Sequence, residues 1–381
     1  MTGKGGVGKT SVAAAHALKS SKEGKKTLIV STDMAHNLGD LFNIPIGKVE
    51  VEVADNLFAL EIDPNYVMEK DFKNMMKAFG NMISSLNPEN TEIKEFTMIP
   101  GMDELFSLLR IQELYNNSDY DRIIVDCTPT GETLSLLKFP EMFGNLIKTV
   151  LPMKRKAVKV AGPMVERIMK IPMPEENVFD DIELLNEKLY KLQSIMTNKE
   201  ILSIRIVTTP ERIVIKEAKR NFTYLHLYNY NIDAIIVNKV YPKQALEGYF
   251  SKWINLQEEG LKEIQASFSK IPVFTLMLQS KELVSEKLLL DAALQIFKDT
   301  DPAAVLFRDK IFEVKKISDG YCFILNIPFA NKADMVMGQK GNELMIQIKN
   351  EKRCFTLPDV LKNKTVQSAK YTDGQLSIKF A

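Results

Sequence analysis

The sequence predicts an α/β fold: a doubly wound, mostly parallel sheet with helical insertions, followed by a small C-terminal β-sandwich. Two observations carry this. Short β-branched runs alternate with helix-like segments over most of the chain, and beyond residue 310 short strands follow one another with only turns between them.

The runs Thr27 to Ser31, Arg122 to Asp126, Ile204 to Thr208, Ile232 to Val240 and Pro272 to Met277 read as buried parallel strands. They are apolar throughout instead of alternating, as expected when helices cover both faces of a sheet. Lys281 to Lys298 is amphipathic and reads as the helix that closes this domain, residues 1–298. Two stretches, about 66–109 and 139–196, are helical in character and rich in methionine, and they read as insertions into the sheet pattern. Residues 299–310, opening with Asp299-Thr300-Asp301-Pro302, read as a linker. Six strands are then expected within residues 311–381. They are punctuated by Asp319-Gly320, Lys340-Gly341-Asn342 and Asp373-Gly374, the pattern of a small β-sandwich.

Composition narrows the function classes. With 50 basic against 49 acidic residues the formal charge is +1, so no net field draws the chain to nucleic acid or to an anionic membrane. Three cysteines, Cys127, Cys322 and Cys354, are too few and too scattered for a disulfide framework and suit a reducing cytosol. No apolar run approaches the roughly 20 residues that span a bilayer, and no secretory signal is visible, so the expectation is a cytoplasmic protein that meets membranes only through a partner.

The sharpest motif is Gly3-Lys4-Gly5-Gly6-Val7-Gly8-Lys9-Thr10, which satisfies G-x-x-x-x-G-K-[ST]. Glycines let the main chain take positive φ and turn its N–H groups onto phosphates, and the helix beginning at Thr10 and Ser11 adds its positive end. Lys9 is expected on the β- and γ-phosphates and the Thr10 hydroxyl on Mg²⁺. The α/β domain is thus expected to be a P-loop NTPase sheet, with ATP as the expected substrate. Such a loop normally follows a central strand of five or more apolar residues, yet only Met1 and Thr2 precede Gly3. That reads as a misassigned start or a truncation, with weak ATP binding expected of the chain as it stands.

Two acidic segments follow strands. In Ser31-Thr32-Asp33, a carboxylate at the strand end can orient the attacking water. Ile123-Ile124-Val125-Asp126 ends an apolar strand in an aspartate suited to Mg²⁺, through water. The hydroxyl- and glycine-rich Cys127 to Thr133, including Thr130 and Gly131, suits a loop that senses the γ-phosphate. His36 fits a capping role better than catalysis. No His, Cys and acidic cluster has metal-site spacing, so no structural zinc is expected.

Taken in order, Gly3 to Thr10, Asp33 to Phe42, Pro100-Gly101-Met102-Asp103-Glu104, Asp126 to Thr133 and Ile235-Ile236-Val237-Asn238 resemble the arsenite-pump and tail-anchored-protein targeting ATPase family, of the deviant P-loop class. The resemblance implies a homodimer in which Lys4 reaches the partner's nucleotide, Asp33 polarises water, Asp126 holds Mg²⁺ through water and Asn37 lies near the interface. It also implies that Asn238 recognises adenine and that Thr209-Pro210-Glu211 begins the adenine loop. The tail, Thr356-Leu357-Pro358 through Ile378, resembles an α-crystallin-type domain of small heat-shock proteins. The arsenic-binding cysteines of the pumps have no counterpart, the chain carries one ATPase half, and the CxxC pair of the eukaryotic targeting dimer is absent.

The methionines of the insertions, among them Met68, Met75, Met76, Met82, Met98, Met142 and Met164, suit either a groove for varied apolar helices or ordinary core filling. The expected function is a Mg²⁺-dependent homodimeric ATPase whose switch handles an apolar or membrane-associated client. The alternatives are a subunit energising an arsenite or anion efflux pump, and a nucleotide-dependent scaffold or positioning switch.

Overall fold

The computed structural model describes residues 1–33, 37–74, 77, 102–117, 119–127 and 176–381. These fall into two compact units. One comprises Met1–Lys9, Thr197–Glu282 and Leu294–Ala381, and the other Thr10–Met196 with Leu283–Ala293. No helix among the described residues is long and apolar enough to cross a membrane.

The second unit opens on helix α1 (Lys9–Lys22), whose Ala13, Ala14, Ala15 and Ala17 are fully buried. Then come β1 (Thr27–Ser31), α2 (Asn37–Phe42), β2 (Val51–Ala54), β3 (Leu57–Glu61), α3 (Pro64–Asp71), α4 (Met102–Asn117), β4 (Arg122–Asp126) and α5 (Glu176–Thr197). The sheet order is β2-β3-β1-β4, with β1 parallel to both β3 and β4 and β2 antiparallel to β3. Every residue of β1 is buried, as its apolar centre Leu28-Ile29-Val30 requires. Leu28, Val30, Leu60, Ile62 and Leu114 form one core cluster there. The β2–β3 hairpin is absent from the sequence reading; it turns on Asn56, whose φ of 58° is a value that asparagine tolerates. Helix α3 starts as its sequence dictates: Asp63 accepts from the Asn65 amide at 2.9 Å, and Pro64 occupies the first turn.

In the first unit β5 (Ile204–Thr208), α6 (Arg212–Leu227), β6 (Ile232–Val240), α7 (Lys252–Ser267) and β7 (Val273–Met277) make a parallel sheet of order β5-β6-β7. Thr2 joins it through one isolated parallel bridge to Ile206. The predicted closing helix is α8 (Glu286–Phe297), of which residues 286–293 belong to the second unit. Of the two methionine-rich stretches, α3, α4 and α5 are described; Met75, Met76, Met82, Met98, Met142 and Met164 lie outside the described residues.

The C-terminal sandwich has seven strands, one more than expected. These are β8 (Phe312–Ile317), β9 (Gly320–Asn326), β10 (Met335–Lys340), β11 (Glu343–Ile348), β12 (Glu351–Thr356), β13 (Val366–Thr372) and β14 (Gln375–Phe380). They form two antiparallel sheets, β13-β14-β9-β8 and β10-β11-β12. The turn signals fall where expected. Gly320, at φ 133°, joins β8 to β9 where a Cβ would lie 2.1 Å from the Phe380 carbonyl oxygen, so only glycine fits. Residues 302–309, read as a linker, lie along β5 and β6 in a run of hydrogen bonds.

Candidate functional site

The loop between Thr2 and Lys9 is shaped by contacts from distant strands. Thr2 donates to the Arg205 carbonyl at 2.9 Å and accepts from the Val207 amide at 2.8 Å, so the loop leaves the end of a parallel ladder. Gly3 touches β5 directly: a Cβ there would lie 2.2 Å from the Val207 carbonyl oxygen. Gly6 and Gly8 have φ of 79° and 86°, the left-handed region that a phosphate nest needs. A Cβ on Gly8 would meet the Asn238 side chain at 2.4 Å.

Two consecutive residues at the end of β6 hold the outer turn. Asn238, buried, donates from Nδ2 to the Val7 carbonyl at 2.8 Å, while its Oδ1 accepts from the Lys239 amide at 2.8 Å. Lys239 sits at φ 56° and donates from Nζ to the Gly6 carbonyl at 2.7 Å. Lys9 is buried, with Nζ 3.5 Å from the Lys4 carbonyl oxygen. Lys4 itself is half exposed and pairs with Glu217 of α6 at 3.8 Å. Gly5 and Gly6 are exposed and Val7 is buried. Pro210 is fixed by α7, for a Cβ on Gly260 would lie 2.1 Å from the Pro210 carbonyl oxygen.

The acidic residues of the second unit are placed by register. Ser31 at the end of β1 pairs with Glu61 of β3 on one side and Asp126 of β4 on the other, so three polar residues form a row at the carboxyl end of parallel strands. Ligands of open α/β sheets bind at that end. Asp126 is 1% exposed, and its carbonyl accepts from the Thr32 amide at 3.0 Å. The half-buried Asp33 has its amide tied to Ser31 Oγ at 3.1 Å, which pins the start of the loop carrying it. Glu61 accepts from the Leu38 and Gly39 amides at 3.2 and 3.4 Å, satisfying donors in the first turn of α2. Asn37 opens that helix; His36, Thr130 and Gly131 lie outside the described residues. Thr10 and Ser11, half-buried, stand in the first turn of α1.

Glu61, Lys239 and Gly260 were not marked by the sequence. Each works through a partner remote in the chain, and none belongs to a local motif. A groove of about 1090 Å³ opens in the second unit, bordered by Asp40, Glu61, Asp63, Asp103 and Lys48. With four carboxylates to one ammonium group it would repel a triphosphate. The glycine loop, with its inward-turned main chain and two lysines, is the better anion site.

A family model described as Anion-transporting ATPase matches residues 1–298, and one described as HSP20-like domain found in ArsA matches residues 318–380. The chain is 35% identical over 382 residues to a putative arsenical pump-driving ATPase of Chlorobaculum tepidum, covering 100% of this chain and 94% of the relative. It is 31% identical over 387 residues to putative arsenical pump-driving ATPase 1 of Aquifex aeolicus, covering 99% and 98%. Against ATPase GET3C of Arabidopsis thaliana the identity is 30% over 265 residues, covering 65% and 68%. The chain belongs to the anion-transporting ATPase family and is an ATPase.

Proposed function

We propose that this ATPase hydrolyses Mg²⁺-ATP at the interface of a homodimer and uses the change of nucleotide state to open and close a surface for an apolar or membrane-associated client. The carrying observation is the loop Gly3–Lys9, with its positive-φ glycines held by Asn238 and Lys239. Lys9 contacts the β- and γ-phosphates, and Lys4 leaves Glu217 to reach the partner's nucleotide. Asp33 polarises the attacking water. Asn238, already engaged with Val7 and Lys239, contributes its remaining amide hydrogen to adenine, with Pro210 beside it.

The metal is supported by donor chemistry. The Thr10 hydroxyl and the Asp126 carboxylate are hard oxygen donors, one in the first turn of a helix and one at a strand end, and these suit Mg²⁺ over softer ions. When bound, the ion neutralises charge developing on the transferred phosphoryl group. Test the reading with Asp33→Asn. The variant is expected to bind ATP, form a stable dimer on sedimentation and trap clients from native extract. A variant turning over at the wild-type rate removes Asp33 from its role.

The second reading, a subunit driving an arsenite or anion pump, is favoured by relatives of that name aligned over nearly the whole chain. Arsenite-stimulated hydrolysis would select it.

A further inference from the structure

Two elements of the first unit touch the nucleotide loop at one end and the C-terminal sandwich or its connecting segment at the other. Strand β5 is the first. The main chain of Arg205 and Val207 bonds Thr2, and Gly3 lies against Val207 with no room for a side chain. The side chain of the same Arg205 points the other way in function. Its guanidinium pairs with Asp233 at 3.0 and 3.1 Å and donates to the Pro302 and Ala304 carbonyls, the latter at 2.9 Å. Asp233 also accepts from the Leu306 amide at 3.1 Å. Asn231 continues the run, donating to the Phe307 carbonyl at 2.8 Å and accepting from the Asp309 amide at 3.2 Å. Residues 302–309 are therefore a strap.

Helix α6 is the second. Glu217, in its first half, pairs with Lys4 of the loop. At its far end Arg353 of β12 donates to the Leu227 carbonyl at 2.7 Å, capping the helix with a cation. Tyr228 donates to the Lys352 carbonyl at 3.1 Å, His226 donates from Nδ1 to the Asn326 carbonyl at 3.1 Å, and Phe329 packs on Phe222 and Phe268.

We infer that the sandwich sets the affinity of the nucleotide loop, with Arg205 as the positioning residue that ties the strap to the strand supporting Thr2 and Gly3. A buried ion pair is a weak way to stabilise a fold, because desolvation offsets most of its attraction. Here both partners also hydrogen-bond the strap, so the pair specifies where the strap lies. Close-packed elements do not deform continuously, so a shift imposed on the sandwich is passed to β5 and α6 as rigid movements. A partner seated on the sandwich would then change nucleotide affinity, and by linkage nucleotide would change the stability of the strap.

The inference rests on the nucleotide reading above and is tested on the full chain. Hydrogen exchange is followed with and without Mg²⁺-ATP in wild type, Asn231→Ala and Arg353→Ala, with affinities from calorimetry. In wild type, nucleotide should slow exchange at residues 302–309 and in β12. The variants should lose that response and bind ATP about tenfold more weakly; Arg205→Lys, which keeps the charge but not the fork, should fall between. A merely structural role would lower melting temperature and leave the nucleotide-dependent exchange intact. ATP binding with no exchange response in the wild-type strap overturns the coupling alone. A wild-type chain that binds no nucleotide overturns the nucleotide reading and the coupling together. Variants that fail to fold leave the wild-type exchange response to decide.

Discussion

In the first unit the phosphate loop takes its shape from side chains that reach it across more than two hundred residues, whereas in the second unit Glu61 and Asp126 stand beside Ser31 because strand register puts them there. The loop has few hydrogen bonds of its own and depends on Asn238, Lys239 and the edge of β5. The acidic row depends on backbone pairing that any apolar strand of that length would make. Binding geometry is therefore exposed to substitution at remote positions, while Glu61 and Asp126 keep their places as long as the strands pair.

The largest expected effect tests the carboxylate side of that contrast. Asp33→Asn should lower turnover by about 10³-fold or more with ATP affinity unchanged, since a polarising base is worth roughly 10²–10⁴. Steady-state assay beside calorimetry reads both. On the loop side, Gly3→Ala forces a Cβ into the Val207 carbonyl and should weaken ATP binding about 100-fold. Gly6→Ala meets nothing within 4 Å and bears only the left-handed strain, about 1–2 kcal/mol. Equal affinities for the two variants would show that β5 does not shape the loop.

Acid should destabilise the first unit. Burial pushes His226 down to about 4, outweighing the nearby Asp309 carboxylate and the Asn326 carbonyl, with Lys199 adding to the depression. The folded-state value lies below the unfolded one, so protons bind the unfolded chain better. Stability is then fully present above about 6.5 and is lost as pH falls from there towards 4, by roughly 3 kcal/mol. Denaturant titration of wild type against His226→Gln between pH 7 and 4 checks this, and identical pH slopes would discount His226. Smaller again, Asn238→Ala strips the donor from the Val7 carbonyl and should cost about 1–2 kcal/mol in ATP binding. Least of all, Glu61→Gln keeps an acceptor for Leu38 and Gly39 but makes it neutral, and should lower stability by about 1 kcal/mol.

Much of this architecture was legible because burial writes itself into composition. β1, β4, β5 and β6 coincide with the runs read from sequence, since strands in a helix-covered parallel sheet are mostly apolar and do not alternate. Four of the sandwich strands were met only approximately and β13 was not assigned as a strand. Val366–Thr372 is largely exposed and polar, so its pattern carries little signal. Likewise β2 is four residues long and half-buried, too short for periodicity to declare itself.

The sequence alone marked the glycine loop with its lysines, one aspartate at a strand end and one just beyond another, and the change from parallel to antiparallel architecture, because each is encoded in neighbouring residues. Only the tertiary structure decided that Asn238 and Lys239 hold the loop, that Glu61 holds α2, and that the segment before the sandwich is a strap on Arg205 and Asp233. Those roles are hydrogen bonds between residues tens to hundreds of positions apart, and an asparagine or glutamate looks the same in a sequence whichever distant carbonyl or amide it meets.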